Sequence, residues 1–288
     1  MKVLILPNFD KPGGADCARN AVQKLLELGL SPMLDQRHAE AIGVTSSEKG
    51  CVIADFEALL PKCDIILTIG GDGTILHAVQ QSLRVGKPLL GVNTGRIGFL
   101  TQMEANELDK LASLRDGNYT ILNRMLLEAT LVQDGCEQVY TALNDAVLSR
   151  GQSERLVEIA VTRSEKPVAS HRADGLIFAT PTGSTAYNLA AGGPVADPSL
   201  QLILMTAICP HSQFHQSMIL SPQESYQVRE VPGNNESGLA LSVDGRRAGV
   251  LRKGGHVTIR CSDARVPFID LGLRDFYHCV DVKLKPGK

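Results

Sequence analysis

The 288-residue sequence contains no tryptophan, and aromatic residues make up only 4% of it. A chain so poor in flat side chains offers no stacking platform for single-stranded nucleic acid. An excess of either charge is also missing: 29 Lys and Arg face 31 Asp and Glu, for a net charge of -2. Without a basic domain, nucleic acid is not expected as a partner. An anionic ligand must then be gripped by local, directed groups. No apolar run approaches the ~18 residues of a membrane-spanning helix, so no membrane partner is expected. The seven cysteines (Cys17, Cys51, Cys63, Cys136, Cys209, Cys261 and Cys279) are odd in number and include no C-x-x-C pair. They imply neither a disulfide framework nor a zinc site, and reduced thiols in the cytoplasm are expected. The apolar run in residues 1–7 is too short for a signal peptide and reads as a first buried strand.

Hydrophobic residues, at 43%, supply a sizeable core, and the length fits one or two domains. In residues 15–28, Ala18, Val22, Leu25, Leu26 and Leu28 form an apolar stripe at helical spacing, which Gly29 ends. Residues 36–54 show no clear period. A short helix over 56–60 closes at Pro61. Residues 64–69 are almost all apolar, as in a strand covered on both faces. A helix over 74–84 and a buried strand over 88–92 follow. This βαβ alternation implies a parallel sheet flanked by helices.

Beyond about residue 120 the pattern changes. Strand-like pieces at 125–132, 141–148, 156–163, 175–179, 202–207, 239–243 and 256–261 are separated by turn residues, as in a mostly β domain. Residues 101–117 read as a helical bridge. The expected organisation is an α/β domain over 1–118, a mostly β domain over 119–271, and a tail over 272–288 that packs back on the first.

Several stretches bear on chemistry. Gly70-Gly71-Asp72-Gly73-Thr74 lies between a strand and a helix, and its glycines permit positive φ and close approach of backbone N–H groups to a phosphate. Its single carboxylate repels a phosphate unless it has another task, such as taking a proton from an attacking hydroxyl or holding a metal. The stretch is neither a P-loop nor the dinucleotide fingerprint, and a plain turn fits it too. In residues 180–188, Thr180, Thr182, Ser184, Thr185, Tyr187 and Asn188 gather neutral hydrogen-bonding groups suited to ribose hydroxyls. The same residues fit a helix through Ala190 capped by Ser184 or Thr185, and Tyr187 fits a core aromatic equally well. Asn144-Asp145 fits a turn. Asp244-Gly245-Arg246-Arg247 fits a hairpin turn with solvated arginines. His77, one turn into the helix, fits a structural role or a donor to an anion. His171, His211 and His215 lack metal-ligand spacing.

Together these stretches resemble the NAD kinase family, most clearly from about residue 64 to 195. The glycine-aspartate loop resembles a motif shared with diacylglycerol kinases and 6-phosphofructokinases. The run from Ala173 to Pro194, ADGLIFATPTGSTAYNLAAGGP, is far more specific. The segments 93–100 and 208–219, and Phe276-Tyr277 with Lys283-Leu284, are similar to further family stretches. The resemblance implies a Rossmann-like N-terminal domain, a β-sandwich-like C-terminal domain and NAD bound between them. It implies ATP with Mg2+ (polyphosphate is the alternative donor) and a homo-oligomer, dimer or tetramer. By analogy Asp72 is the proton acceptor and Gly73 lies against the ligand. Asn144 and Asp145 match an Asn-Glu pair that holds adenosine and ribose groups. Arg155, Arg172 and Asp174 fall at ligand-contacting positions, and Thr185, Ala186, Tyr187, Asn188, Leu189 and Ala190 match the ligand-lining stretch. His77 and Arg246 complete the expected NAD-binding set, and no residue is assigned to a metal.

Some positions depart from the family pattern. Asp145 replaces the usual Glu, Arg96 and Ile97 replace commoner residues, Gln216 replaces Arg, and Arg246 replaces Gln. Two rivals remain at this point: a lipid or sugar kinase sharing the loop, and an NAD(H)-binding sensor that has lost turnover.

Overall fold

The computed structural model describes residues 1–45, 49–95, 98–151, 153, 155–211, 216–231 and 238–284. Two compact units emerge, one formed by Met1–Asn123 with Val266–Lys288 and the other by Arg124–Arg265.

The first unit is built on parallel strands. β1 (Lys2–Pro7), α1 (Gly14–Glu27), β2 (Ser31–Asp35), α2 (Gln36–Ile42), β3 (Val52–Ala54), α3 (Phe56–Leu59), β4 (Ile65–Gly70), α4 (Asp72–Val85) and β5 (Leu89–Asn93) follow one another. The strands lie in the order β3-β2-β1-β4-β5, all parallel. Every residue of β4 and β5 is buried, which is why their sequences are continuous apolar runs rather than alternating ones. Cys17, Ala18, Ala21, Val22 and Leu25 form the buried face of α1 and join Val3, Ile5, Leu67 and Val92 in one core.

The two-residue strand β6 (Met103–Glu104) also pairs with β5. A 3-10 stretch (Ala105–Leu111) and α5 (Ala112–Asp116) come next. The expected single helix over 101–117 is therefore broken, and Glu107 has non-helical angles inside the 3-10 stretch. The unread residues 36–54 supply α2 and β3. Asp35 caps α2 by accepting the Arg37 N–H at 3.0 Å.

The second unit is antiparallel. It contains most of β7 (Thr120–Gln133), then β8 (Cys136–Ala142), β9 (Asp145–Ser149), β10 (Val157–Arg163), β11 (Lys166–Ala173), β12 (Gly175–Ala179), α6 (Tyr187–Ala190), β13 (Ile203–Ile208), β14 (Met218–Leu220), β15 (Ser225–Glu230), β16 (Leu239–Val243), β17 (Arg246–Leu251) and the first part of β18 (His256–Asp270). One sheet runs β14-β13-β12-β9-β16-β17, and β11, β10, β15 and β18 form another row. Phe178, Leu148 and Leu241 from the first meet Ile159, Val228 and Ile259 from the second in a single core. The alternating burial of β10 and β16 is that of strands with one face inward.

All five residues of β12 are buried, because Ile177 and Ala179 on its outer face pack beneath Ala196. The chain after β12 thus lies on the sheet. The expected strand over 141–148 breaks at Leu143-Asn144 into β8 and β9, and the strand expected at 256–261 runs on to Asp270. Its far end pairs Phe268 with Leu89 in the first unit's sheet. The tail forms α7 (Phe276–Leu284). The α/β and mostly β classes read from the sequence are those of the structure. Among the described residues, no helix is long and apolar enough to cross a membrane.

Candidate functional site

The first part of the site is the start of α4. Sequence reading begins this helix at Thr74, but it begins at Asp72, with Gly71 extended before it. None of Gly70, Gly71 and Gly73 has positive φ. The freedom these glycines have to adopt left-handed backbone is not used there. At Gly70 the constraint is space: a Cβ there would collide with the Thr74 side chain.

Asp72 sits in the first turn, where the helix N-terminus favours a negative charge. Its Oδ2 accepts the Phe99 N–H at 2.8 Å, and its Oδ1 accepts the Leu100 N–H at 3.0 Å. Two rigid donors thereby fix the orientation of the carboxylate. Gly98 makes this approach possible, since a Cβ there would strike Asp72 Oδ1 and Thr101 Oγ1. The loop that supplies the donors is anchored at its other end. Asn93 donates to the Gly95 carbonyl at 3.2 Å and to Glu104 at 2.7 Å, and Glu104 is held by Arg274. The α7 residue Phe276 lies 6.2 Å from Phe99, centroid to centroid, and Lys283 Nζ sits 4.1 Å over the Phe99 ring. Gly73 and His77 are exposed on α4. Arg96 and Ile97 lie outside the described residues.

In the second unit, Asn144 and Asp145 stand where β9 begins. They are held by a residue that the sequence reads only as part of a turn. Asp244, with φ 47, and Gly245, with φ 75, make the tight turn between β16 and β17, as left-handed Asp-Gly pairs do. The Asp244 carboxylate accepts the N–H groups of Leu143 at 2.9 Å, Asn144 at 2.8 Å and Asp145 at 3.2 Å. Burial raises the affinity of both carboxylates for protons. The three N–H groups oppose that rise at Asp244. Asp145, only 5% exposed, is pushed up to about 7 by burial and then by the Asp244 charge.

Thr180 completes the support. Its hydroxyl donates to the Leu143 carbonyl at 2.5 Å and accepts the Gly183 N–H at 3.0 Å. Gly183 lies against the Asn144 backbone with no room for a Cβ.

The stretch after Thr180 is not one capped helix. A 3-10 turn (Thr182–Thr185) ends at Ala186, whose φ -96 and ψ -130 break the chain before α6. Its hydrogen-bonding groups are not all presented outward. Asn188 is fully buried; its amide donates to the carbonyls of Ser184 at 3.1 Å and Pro194 at 3.0 Å and accepts from Thr206 at 2.8 Å. Ser184 is fully buried too and bridges to Ala196. Thr185, Ala186 and Leu189 are half-buried, and Tyr187 and Ala190 are exposed. Tyr187 is therefore no core aromatic.

Asp174 is paired with Arg150 at 2.7 Å, a partner that sequence reading missed because nothing local marks it. Arg150 also lines a groove of about 680 Å3 with Ser149, Ser242, Gly245 and Arg247. Arg155, Arg172 and Arg246 are exposed. His215 lies outside the described residues.

Family models match on both units. The ATP-NAD kinase N-terminal domain covers residues 3–115, and the ATP-NAD kinase C-terminal domain covers 143–271. The NAD kinase of Desulforamulus reducens is 36% identical over 284 residues, 98% of this chain and 96% of that one. The NAD kinase of Symbiobacterium thermophilum is 39% identical over 246 residues, 85% of this chain and 84% of that one. Among solved structures, yeast NADH kinase complexed with NADH superposes with a TM-score of 0.88 at 26% identity, covering 100% of this chain and 89% of that one. An Archaeoglobus fulgidus NAD kinase in complex with ATP gives a TM-score of 0.74 at 22% identity, covering 98% and 99%, which shows the shared fold alone. A glycine-aspartate helix start on a parallel sheet, an Asn-Asp pair on an antiparallel one and these matches lead to one conclusion: the chain belongs to the NAD kinase family.

Proposed function

We propose that this chain performs the family's reaction, ATP-dependent phosphorylation of NAD, at the 2′-hydroxyl of the adenosine ribose, with Asp72 as proton acceptor. The observation that carries this reading is the Asp72 carboxylate, fixed by two backbone donors in the first turn of α4. The ribose oxygen forms its bond to the γ-phosphorus while the bond to the ADP oxygen breaks. The hydroxyl proton passes to Asp72. In a loose phosphoryl-transfer transition state, holding the hydroxyl in line matters more than base strength. A carboxylate fixed by two rigid N–H groups suits that task.

Asn144 and the Asp145 carboxyl hold adenosine and ribose groups, with Asp244 fixing both from behind. Gly73, His77, Arg155, Arg172, Asp174, Arg246 and the exposed or half-buried Thr185, Ala186, Tyr187, Leu189 and Ala190 complete the NAD site. Asn188 belongs to the same set, and its amide, donating twice and accepting once inside its unit, fixes the place of that stretch.

Among the described residues, no three His, Cys, Asp or Glu side chains gather as a metal cage, and each Asp72 oxygen accepts one N–H group with a second position left open. ATP would bring Mg2+ with its phosphates, and Asp72 is the carboxylate of this site that could help hold it. When bound, it neutralises phosphate charge. All seven cysteines are free, and we place the enzyme in the reducing cytosol as a homo-oligomer, dimer or tetramer.

The test is formation of NADP from NAD, or of NADPH from NADH, with ATP or polyphosphate as donor, read by an NADP(H)-specific dehydrogenase. The reading predicts product from ATP and NAD. NAD binding without product from any pair makes the chain a sensor.

A further inference from the structure

Thr101 lies where β5 hands the chain on through the loop that grips Asp72. It is 2% exposed, and its hydroxyl has no hydrogen-bond partner among the described residues. Buried hydroxyls are normally paired, so one left open beside a reactive carboxylate calls for a reason. The residue is not loosely placed. Its Cα packs against Gly91, where a Cβ would come within 3.1 Å of it, and the adjacent Gln102 N–H donates to the Gly91 carbonyl at 2.9 Å.

Gly98 shows where the hydroxyl is aimed. A Cβ built on Gly98 would overlap both Asp72 Oδ1 and Thr101 Oγ1. The two oxygens therefore border the same spot, which a side chain at residue 98 would fill.

We propose that Thr101 is a positioning residue that donates its hydroxyl hydrogen to Asp72 Oδ1 in the reacting enzyme and so makes Oδ2 the proton-accepting oxygen. This inference rests on the reading of Asp72 as the proton acceptor. A carboxylate oxygen has room for two donors. Oδ1 already accepts the Leu100 N–H, and Thr101 fills its second position. Among the described residues Oδ2 accepts only the Phe99 N–H, which leaves it one lone pair for the ribose hydroxyl. The β-branched Thr101 side chain, stiff about its first torsion, holds this arrangement at low entropic cost.

The experiment compares Thr101→Val, Thr101→Ala and Thr101→Ser with the parent enzyme and with Asp72→Asn. The near-isosteric T101V keeps the shape, and T101A, being smaller, reports if T101V fails to fold. Removing a donor to a carboxylate lowers kcat about tenfold, with KM for NAD within about twofold. It also moves the acid limb of the kcat–pH profile to higher pH, because the ionised form loses a hydrogen bond. T101S restores both. Parent-like kcat in T101V or T101A overturns the proposal, and so does a fall in kcat with an unmoved acid limb, which is what a packing role gives. If D72N keeps near-normal turnover, the Asp72 reading itself fails. An inactive D72N beside a parent-like T101V removes only the role of Thr101.

Discussion

The backbone N–H of Asp244 donates to the Asp145 carbonyl at 3.0 Å, while the Asp145 N–H donates back to Asp244 Oδ1 at 3.2 Å. A hairpin tip and a strand start are thus locked together by one residue from each. The lock carries a cost, because it brings the buried Asp145 carboxyl against the half-buried Asp244 carboxyl, and only the latter is well supplied with donors.

Replacing Asp244 with Asn tests that lock. The amide keeps the size but turns an NH2 group toward the three N–H donors or leaves donors unpaired. Hydrogen bonds to a charged acceptor contribute about 1.5–3 kcal/mol. D244N should lose about 2–4 kcal/mol of stability, read from urea unfolding, and should weaken NAD binding as Asn144 loosens.

The pH dependence of stability follows from Asp145. Its carboxyl is raised from the ordinary 3.8 to about 7 in the folded chain. Between those values the folded state binds more protons than the unfolded one, so this residue makes stability fall as pH rises. The loss begins above the ordinary carboxylate value and is complete above about 7. Urea midpoints measured at pH 5 and pH 8 should show a smaller drop in Asp145→Asn than in the parent. An equal drop contradicts the assignment.

Much of this was legible beforehand, for identifiable reasons. The buried strands of the first unit announce themselves as apolar runs because both faces of β4 and β5 are covered. Residues 101–117 misled because their helical composition is split by the β6 pairing and the kink at Glu107. β11, β14, β15 and β17 escaped notice because half-exposed strands carry little hydrophobic pattern. Asp72 stood out as a lone acid among glycines. Asp244 did not, since an Asp-Gly turn reads the same whether its carboxylate faces water or three buried amides. Nor did Arg150 and Thr101, whose roles arise from contacts with residues distant in sequence or around a bend.

Gly98→Ala probes the approach of Asp72 to its loop. The added methyl would occupy the spot bordered by Asp72 Oδ1 and Thr101 Oγ1, so the loop must shift or the carboxylate must turn. Overpacking of this kind costs about 1–3 kcal/mol. G98A should lower the melting temperature and reduce kcat by roughly 10- to 100-fold, as misplacement of a catalytic group does. Unchanged kcat and melting temperature would show that the carboxylate needs no such clearance.

The ion pair between Arg150 and Asp174 contributes less than its 2.7 Å separation suggests. Both side chains are about a third exposed, at 34% and 31%. Solvent-exposed pairs contribute roughly 0.2–1 kcal/mol. Arg150→Met should therefore change the unfolding free energy by under about 1 kcal/mol, and a larger loss would mean that the pair is screened from water.

The most direct measurement is steady-state turnover of Asp72→Asn together with its affinity for NAD, taken by calorimetry on the same preparation. A general base contributes roughly 10²–10⁴-fold. The account predicts a fall in kcat within that range, with NAD affinity within a few-fold of the parent enzyme. Near-normal turnover by a folded, NAD-binding D72N would contradict it.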